Sequence, residues 1–141
     1  MKNTYNNKIS IGFINDYVPE SMQGIKDVLL LLQDSPTDIA IASTLPSTTQ
    51  AFKDMADFGG HEHIVALLYA IDGVLNRVRN AELRPDAGLI ALLLICVDHV
   101  SRMVSRLAHR HEIYLGYLKR SHGLIRQLRD YQGCRFNYAA A

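Results

Sequence analysis

The chain has 141 residues, a formal net charge of +1, 48% apolar residues and 21% charged residues. That length supports one domain with a sizeable core, the composition is ordinary for a soluble globular protein, and the near-neutral balance gives no support to a nucleic-acid binder. The charge is uneven: residues 1–60 hold four Lys/Arg against seven Asp/Glu, and residues 101–141 hold eight against two. A solvated basic face on the last helices is the simpler reading of that excess, and a patch for an acidic partner is the functional one. Cys96 and Cys134 have no metal-ligand spacing and imply no disulfide framework, which fits a reducing, cytoplasmic setting. The polar start, MKNTYNNK, does not read as a signal peptide. The wholly apolar run over residues 88–97 is far too short for a bilayer, which takes about 20 residues.

Residues 1–9 read as a flexible polar arm. A helical pattern then begins, with Phe13, Ile14, Tyr17 and Val18 followed by Met22, Ile25, Val28, Leu29 and Leu32. Pro19 and Gly24 interrupt it, which predicts a kink or two pieces. Asp34-Ser35-Pro36-Thr37-Asp38 is a turn with helix-starting chemistry. A short helix follows through Ile39 and Ile41, and Pro46 predicts that it is cut short or broken.

Residues 47–83 read as two helices joined at Gly59-Gly60. In the first, Gln50, Lys53, Asp54 and Asp57 recur at spacings of three and four, with Ala51, Phe52, Met55 and Ala56 on the other side. In the second, Ile64, Leu67, Leu68, Ile71, Val74, Leu75 and Val78 form one apolar stripe, with Asp72, Arg77 and Arg79 on the outside. Residues 80–85 end it. Asp86 can cap a fourth helix from about Ala87 to Arg106, facing inward with Leu89, Leu93, Cys96, Val97, Val100, Val104 and Leu107. A fifth runs from about Glu112 to Tyr131, with Tyr114, Leu118, Leu124, Ile125 and Leu128 as its core. Residues 134–141 read as a tail. No strand pattern or internal repeat is present.

The stretch HEHIVALLYAIDGVLNRVRNAEL, followed by a Leu-rich helix, resembles the histidine-containing phosphotransfer (HPt) domain of chemotaxis-type histidine kinases. The segment FINDYVPESMQGIKDVLLLLQD resembles the first helix of the same domains more loosely. The resemblance implies an all-α, up-down antiparallel four-helix bundle with an additional C-terminal helix, here over residues 10–133. Family members carry His-x-x-Lys-Gly on the helix before the turn. Reading back without gaps, that motif falls on Gln50-Ala51-Phe52-Lys53-Asp54. The lysine is kept as Lys53, the phosphoryl-accepting histidine is Gln50, and the glycine is Asp54.

Three departures then bear on one site. Phosphotransfer needs an imidazole nitrogen that can take and release a phosphoryl group, and a carboxamide nitrogen, its lone pair delocalised, does neither. Thr48 and Thr49 lie beside it, but a hydroxyl would form a stable ester rather than a relay intermediate. Asp54 would repel both an incoming phosphoryl group and the acidic pocket of a receiver domain. Tyr69 stands where the family often places an acidic or histidine side chain that orients the accepting ring. The resemblance therefore implies a binding module docking a receiver domain or kinase component through Gln50, Lys53, Asp54, Asp57 and Tyr69, without phosphotransfer. A displaced acceptor, with His63 the first candidate, or a purely structural or oligomerising bundle are the alternatives.

Nothing else points to chemistry. His61-x-His63 and His109-x-His111 place their imidazoles on opposite sides of a helix, so neither pair predicts a metal site. No catalytic triad order, Gly-rich phosphate loop or paired catalytic carboxylates occur, and no cofactor, nucleic acid or membrane partner is implied.

Overall fold

The computed structural model describes the backbone of residues 2–49, 51, 55, 62–108 and 115–140, and the side chains of residues 18–49, 51, 55, 62–107 and 115–130. Among them all the regular structure is helical, with no strand: α1 (Lys2–Asp34), α2 (Ile39–Ala42), α3 (Glu62–Arg79), α4 (Ala87–Ala108) and α5 (Leu115–Ala140). Thr49, Ala51 and Met55 are helical between α2 and α3. The fold is an all-α bundle. Its principal packing is α1 on α4 and α3 on α5, with α4 also touching α3 and α5.

One core joins the helices. In α1 the inward residues Val18, Met22, Ile25, Leu29 and Leu32 alternate steps of four and three, the period of a single helical face. The seven apolar residues expected to form the stripe of α3 are all buried. In α4 Leu89, Leu93, Cys96, Val97, Val100 and Val104 are buried as expected, joined by Ile90 and Met103, while Leu107 is only partly buried. Leu124, Ile125 and Leu128 complete the core from α5. Leu118 is half-buried, and Tyr114 lies outside the described residues. Each fully buried leucine or isoleucine contributes about 1.5–3 kcal/mol relative to leaving it in water.

The apolar part of α4 is longer than residues 88–97. The stretch Ala87–Leu107 has the length and composition to cross a membrane, yet more than half of it is buried within the bundle. Burial also pushes the Cys96 thiol up to about 12, which makes it a packed core group rather than a nucleophile.

Helix ends follow local chemistry. Asp38 accepts the Ile41 amide at 3.1 Å and starts α2. Asp86 accepts the Leu89 amide at 2.8 Å and starts α4, as the sequence predicts. The short α2 and the irregular residues 45–48 are the break expected at Pro46. α3 ends in a reversed turn in which the Glu82 amide returns to the Arg77 carbonyl at 2.8 Å and the Ala81 amide to Val78 at 3.1 Å. That turn puts Ala81 at φ 59°, a left-handed conformation that favours glycine.

One expectation needs correction. α1 is one unbroken helix with Pro19 inside it. Pro19 is exposed, so water can replace the hydrogen bond that the ring removes. α1 starts at Lys2, and α5 continues to Ala140. Gly24 is turned to Pro46, whose Cγ would lie 3.6 Å from a Cβ at that position. The two residues expected to break α1 therefore leave it intact, and Gly24 sits where α1 meets the segment leading to the candidate site.

Candidate docking site

Of the five residues singled out for docking, Tyr69 alone falls among the described ones, and Gln50, Lys53, Asp54 and Asp57 lie outside them. So do Phe52 and Ala56, expected on the inward side. The described residues of this segment are fixed from within. Thr48, Ala51 and Met55 are buried at 0%, 1% and 0% exposure, at spacings of three and four. They define the side that faces the core.

The entry to this stretch is held by hydrogen bonds to α3. The Thr48 amide donates to Asp72 Oδ1 at 3.1 Å, and Thr49 Oγ1 donates to Asp72 Oδ2 at 3.1 Å. Ser47 Oγ lies 3.2 Å from Asp72 Oδ1 and 2.8 Å from Thr49 Oγ1, and it accepts the Thr49 amide at 3.1 Å. The Thr48 hydroxyl, fully buried, donates to the Leu68 carbonyl at 3.1 Å. Two residues earlier in the loop, the Leu45 carbonyl accepts from Arg79 Nη1 at 3.0 Å, and Arg79 Nη2 donates to Asn76 at 2.9 Å. A carboxylate thus satisfies an otherwise orphaned helix-start amide, as a capping side chain does, but from a neighbouring helix.

This junction corrects the reading of Asp72 and Arg79 as outward decoration. Both are partly buried and tie α3 to residues 45–49. The signal in the sequence is the run Ser47-Thr48-Thr49 directly after Pro46, three hydroxyls at a helix start that need acceptors. The partner lies 23 to 25 residues away and is not visible from spacing. The same geometry removes Thr48 as a nucleophile, since its hydroxyl is enclosed and already bonded.

Tyr69 stands one turn before Asp72 and is 67% exposed. It shares one face of α3 with Ala66 and Gly73, and beside it Ala70 meets Leu128 and Arg129 of α5 in a shallow groove.

His63, at the head of α3, is half-buried, and its Nε2 is enclosed with no hydrogen-bond partner. Burial, and then the charge of His122, lower its pKa and keep the ring neutral near pH 7. A neutral ring has a lone pair for chemistry, but a phosphoryl donor cannot reach a nitrogen with no exposed surface.

A second polar junction, not anticipated from the sequence, joins α4 to α5. His99 is buried at 3% exposure, and its Nε2 lies 3.1 Å from the Tyr117 carbonyl and 3.0 Å from Ser121 Oγ. A carbonyl only accepts, so Nε2 carries the proton. Ser121, fully buried, contacts the Tyr117 carbonyl at 3.0 Å and Met103 Sδ at 3.4 Å. The Tyr117 ring stacks on His99 at 5.8 Å, and the Arg106 guanidinium lies 5.3 Å from its centre. Burial lowers the His99 pKa most. The hydrogen bond to the Tyr117 carbonyl opposes this next most strongly, and Arg120 and Arg102 lower it further against a smaller upward effect of Asp98. Among the described residues no three His, Cys, Asp or Glu side chains converge in a way that could hold a metal ion.

With this geometry in hand, the relatives of the chain are informative. The chain is similar to part of the chemotaxis protein CheA. Against that protein from Listeria monocytogenes it is 31% identical over 90 residues, which is 64% of this chain and 15% of the relative. The Listeria innocua protein gives the same values, and the Bacillus subtilis protein is 26% identical over 89 residues, 63% of this chain and 13% of the relative. The chain thus carries a CheA-related region and spans only a small part of the length of these relatives. No family model matches it, and no solved structure matches it.

Proposed function

We propose that this chain is a degenerate HPt domain: a binding module of a two-component, chemotaxis-type system that docks a receiver domain or a kinase component and passes no phosphoryl group. One observation carries the reading. Gln50 stands at the position of the accepting histidine, in a segment whose surroundings resemble those of chemotaxis-type HPt domains, and the relatives of the chain are CheA proteins. A carboxamide cannot form the phosphoramidate that the relay needs.

The structure supports the docking half of the reading through its scaffold. Thr48, Ala51 and Met55 are buried at spacings of three and four, which anchors the segment carrying the candidate site to the core. Asp72 and Arg79 hold the start of this helix against α3 beside the exposed Tyr69. A docking face built on a clamped helix keeps its shape after the chemistry is gone. Asp54 and Asp57 then favour a partner surface other than a bare acidic pocket, and Lys53 supplies one cation toward it.

In this reading the working unit is the bundle of residues 10–133, with residues 1–9 and 134–141 dispensable for docking, and its place is the cytoplasm, where such systems signal. A phosphoryl group on His63 is disfavoured because its Nε2 is enclosed. Two measurements test the proposal. Incubation with a histidine kinase or a phosphorylated receiver should leave no acid-labile phosphate on the protein. A pull-down against receiver domains should recover a complex that Lys53→Glu or Tyr69→Ala weakens. Acid-labile phosphate that disappears in His63→Gln transfers the reading to an active relay protein, and failure to bind any receiver or kinase component favours a structural bundle.

A further inference from the structure

The candidate site does not account for the basic excess at the C-terminal end. On α5, Lys119, His122, Arg126 and Arg129 follow one another at steps of three, four and three, so they share one face, and all four are exposed. Lys119, Arg126 and Arg129 form no ion pair among the described residues, where the carboxylate pairs are Arg77–Glu82 and Arg102–Asp98. Like charges at three- and four-residue spacing repel one another and disfavour the helix that carries them. Among the described residues no carboxylate forms an ion pair with that row to offset the repulsion.

The row also has a definite neighbour. Arg129 is part of the groove formed with Ala66, Tyr69, Ala70, Gly73 and Leu128. His122 lies near enough to α3 for its charge to act on His63. Arg129 therefore lines the open face of α3, and the rest of the row continues from it along α5. That face is small and apolar around one exposed aromatic ring, which lets a second backbone come close. A phosphate backbone would match the charges but leave the apolar floor uncovered, and the whole chain carries a net charge of only +1. A helix with apolar residues on one side and carboxylates along its edge matches both features.

We propose that the groove between α3 and α5, with Arg129 in its lining and Lys119, His122 and Arg126 along the same face of α5, docks an acidic amphipathic helix of a partner protein. Apolar side chains of that helix sit over Ala66, Ala70 and Gly73, and its carboxylates meet the α5 row. Of the residues proposed for receiver docking, Tyr69 alone among the described ones lines this groove, and the α5 row has no part in that proposal, so charge reversal on α5 tests this inference by itself.

The test uses the full chain and a labelled helical peptide with leucines on one face and glutamates along its edges, read by fluorescence anisotropy. Binding should weaken as salt rises, because exposed charges are screened beyond about 8 Å at physiological ionic strength. It should fall by roughly tenfold or more in Arg126→Glu/Arg129→Glu, which reverses two charges facing the carboxylates. Gly73→Leu should weaken it with the charges intact, by filling the groove. Receiver binding should be unaffected by the charge reversal. No peptide binding at low salt, unchanged binding in either variant, or tighter binding to duplex DNA or to phosphatidylserine vesicles than to the peptide overturns the proposal.

Discussion

Two polar junctions hold this bundle together, and they work in different ways. At one, the Asp72 carboxylate of α3 gathers the Thr48 amide and the hydroxyls of Ser47 and Thr49 at a partly exposed helix start. At the other, a neutral His99 is enclosed between α4 and α5 and donates to a carbonyl and a hydroxyl. The first positions a segment whose described residues meet the core through Thr48, Ala51 and Met55, so its loss should be felt locally, at the candidate site. The second sits between two long helices that apolar packing already aligns, so its loss should be felt globally and as a dependence on pH. Position in the bundle, rather than the number of hydrogen bonds, decides which function each junction serves.

The largest expected effect is that of Asp72→Ala. It strands a helix-start amide and two hydroxyls that bonded a charged acceptor, and should cost about 3 kcal/mol. Hydrogen exchange should rise first at residues 48–55, ahead of α4. Exchange that rises evenly over the bundle would erase the distinction between the junctions.

His99→Gln should cost about 1–2 kcal/mol near neutral pH, since an amide N–H can replace only part of the imidazole contacts. Its sharper signature is in acid. Burial holds the folded His99 below its ordinary value of 6.5, so the unfolded chain binds the proton more readily. The associated stability is present above pH 6.5 and is lost as the pH falls through that value toward the lower folded pKa. His63 shifts in the same direction and adds to the loss. Urea melts across this range should show a shallower acid loss in His99→Gln than in the parent. An equal slope would place the acid sensitivity elsewhere.

Two smaller changes separate global from local stability. Ala81→Gly relieves the left-handed residue at the end of α3 and should stabilise by about 1 kcal/mol, seen as a higher denaturation midpoint with both junctions intact. Gly24→Ala should stabilise by roughly 0.5–1 kcal/mol, because the added methyl meets Pro46 Cγ at an ordinary 3.6 Å while the helix interior loses a glycine. Destabilisation in the second case would mean that α1 and the Pro46 loop are packed too closely for a methyl group.

The bundle was legible wherever one helix face meets the core. The stripe of α3, the Asp38 and Asp86 caps and the break at Pro46 all follow from spacing and backbone chemistry within a few residues. The bridging roles of Asp72, Arg79 and His99 were not legible, because each depends on a partner more than one helix turn away in sequence. Spacing puts Asp72 off the apolar stripe but cannot say that a second segment lies there. Pro19 misled for a related reason: the penalty of a proline depends on whether its side of the helix meets water, and sequence shows the residue without the side. Of the candidate site, the sequence supplies the proposal at Gln50, Lys53 and Asp54, while the hydrogen bonds that hold the entry to that segment come from the structure.

The central claim is that the docking shape survives without the reaction. Its most direct test mixes the protein with a receiver domain carrying a radiolabelled phosphoryl group, separates the complex, and locates the label. The account predicts a complex in which all the label stays on the receiver or leaves as free phosphate. Acid-labile label on this chain would contradict it.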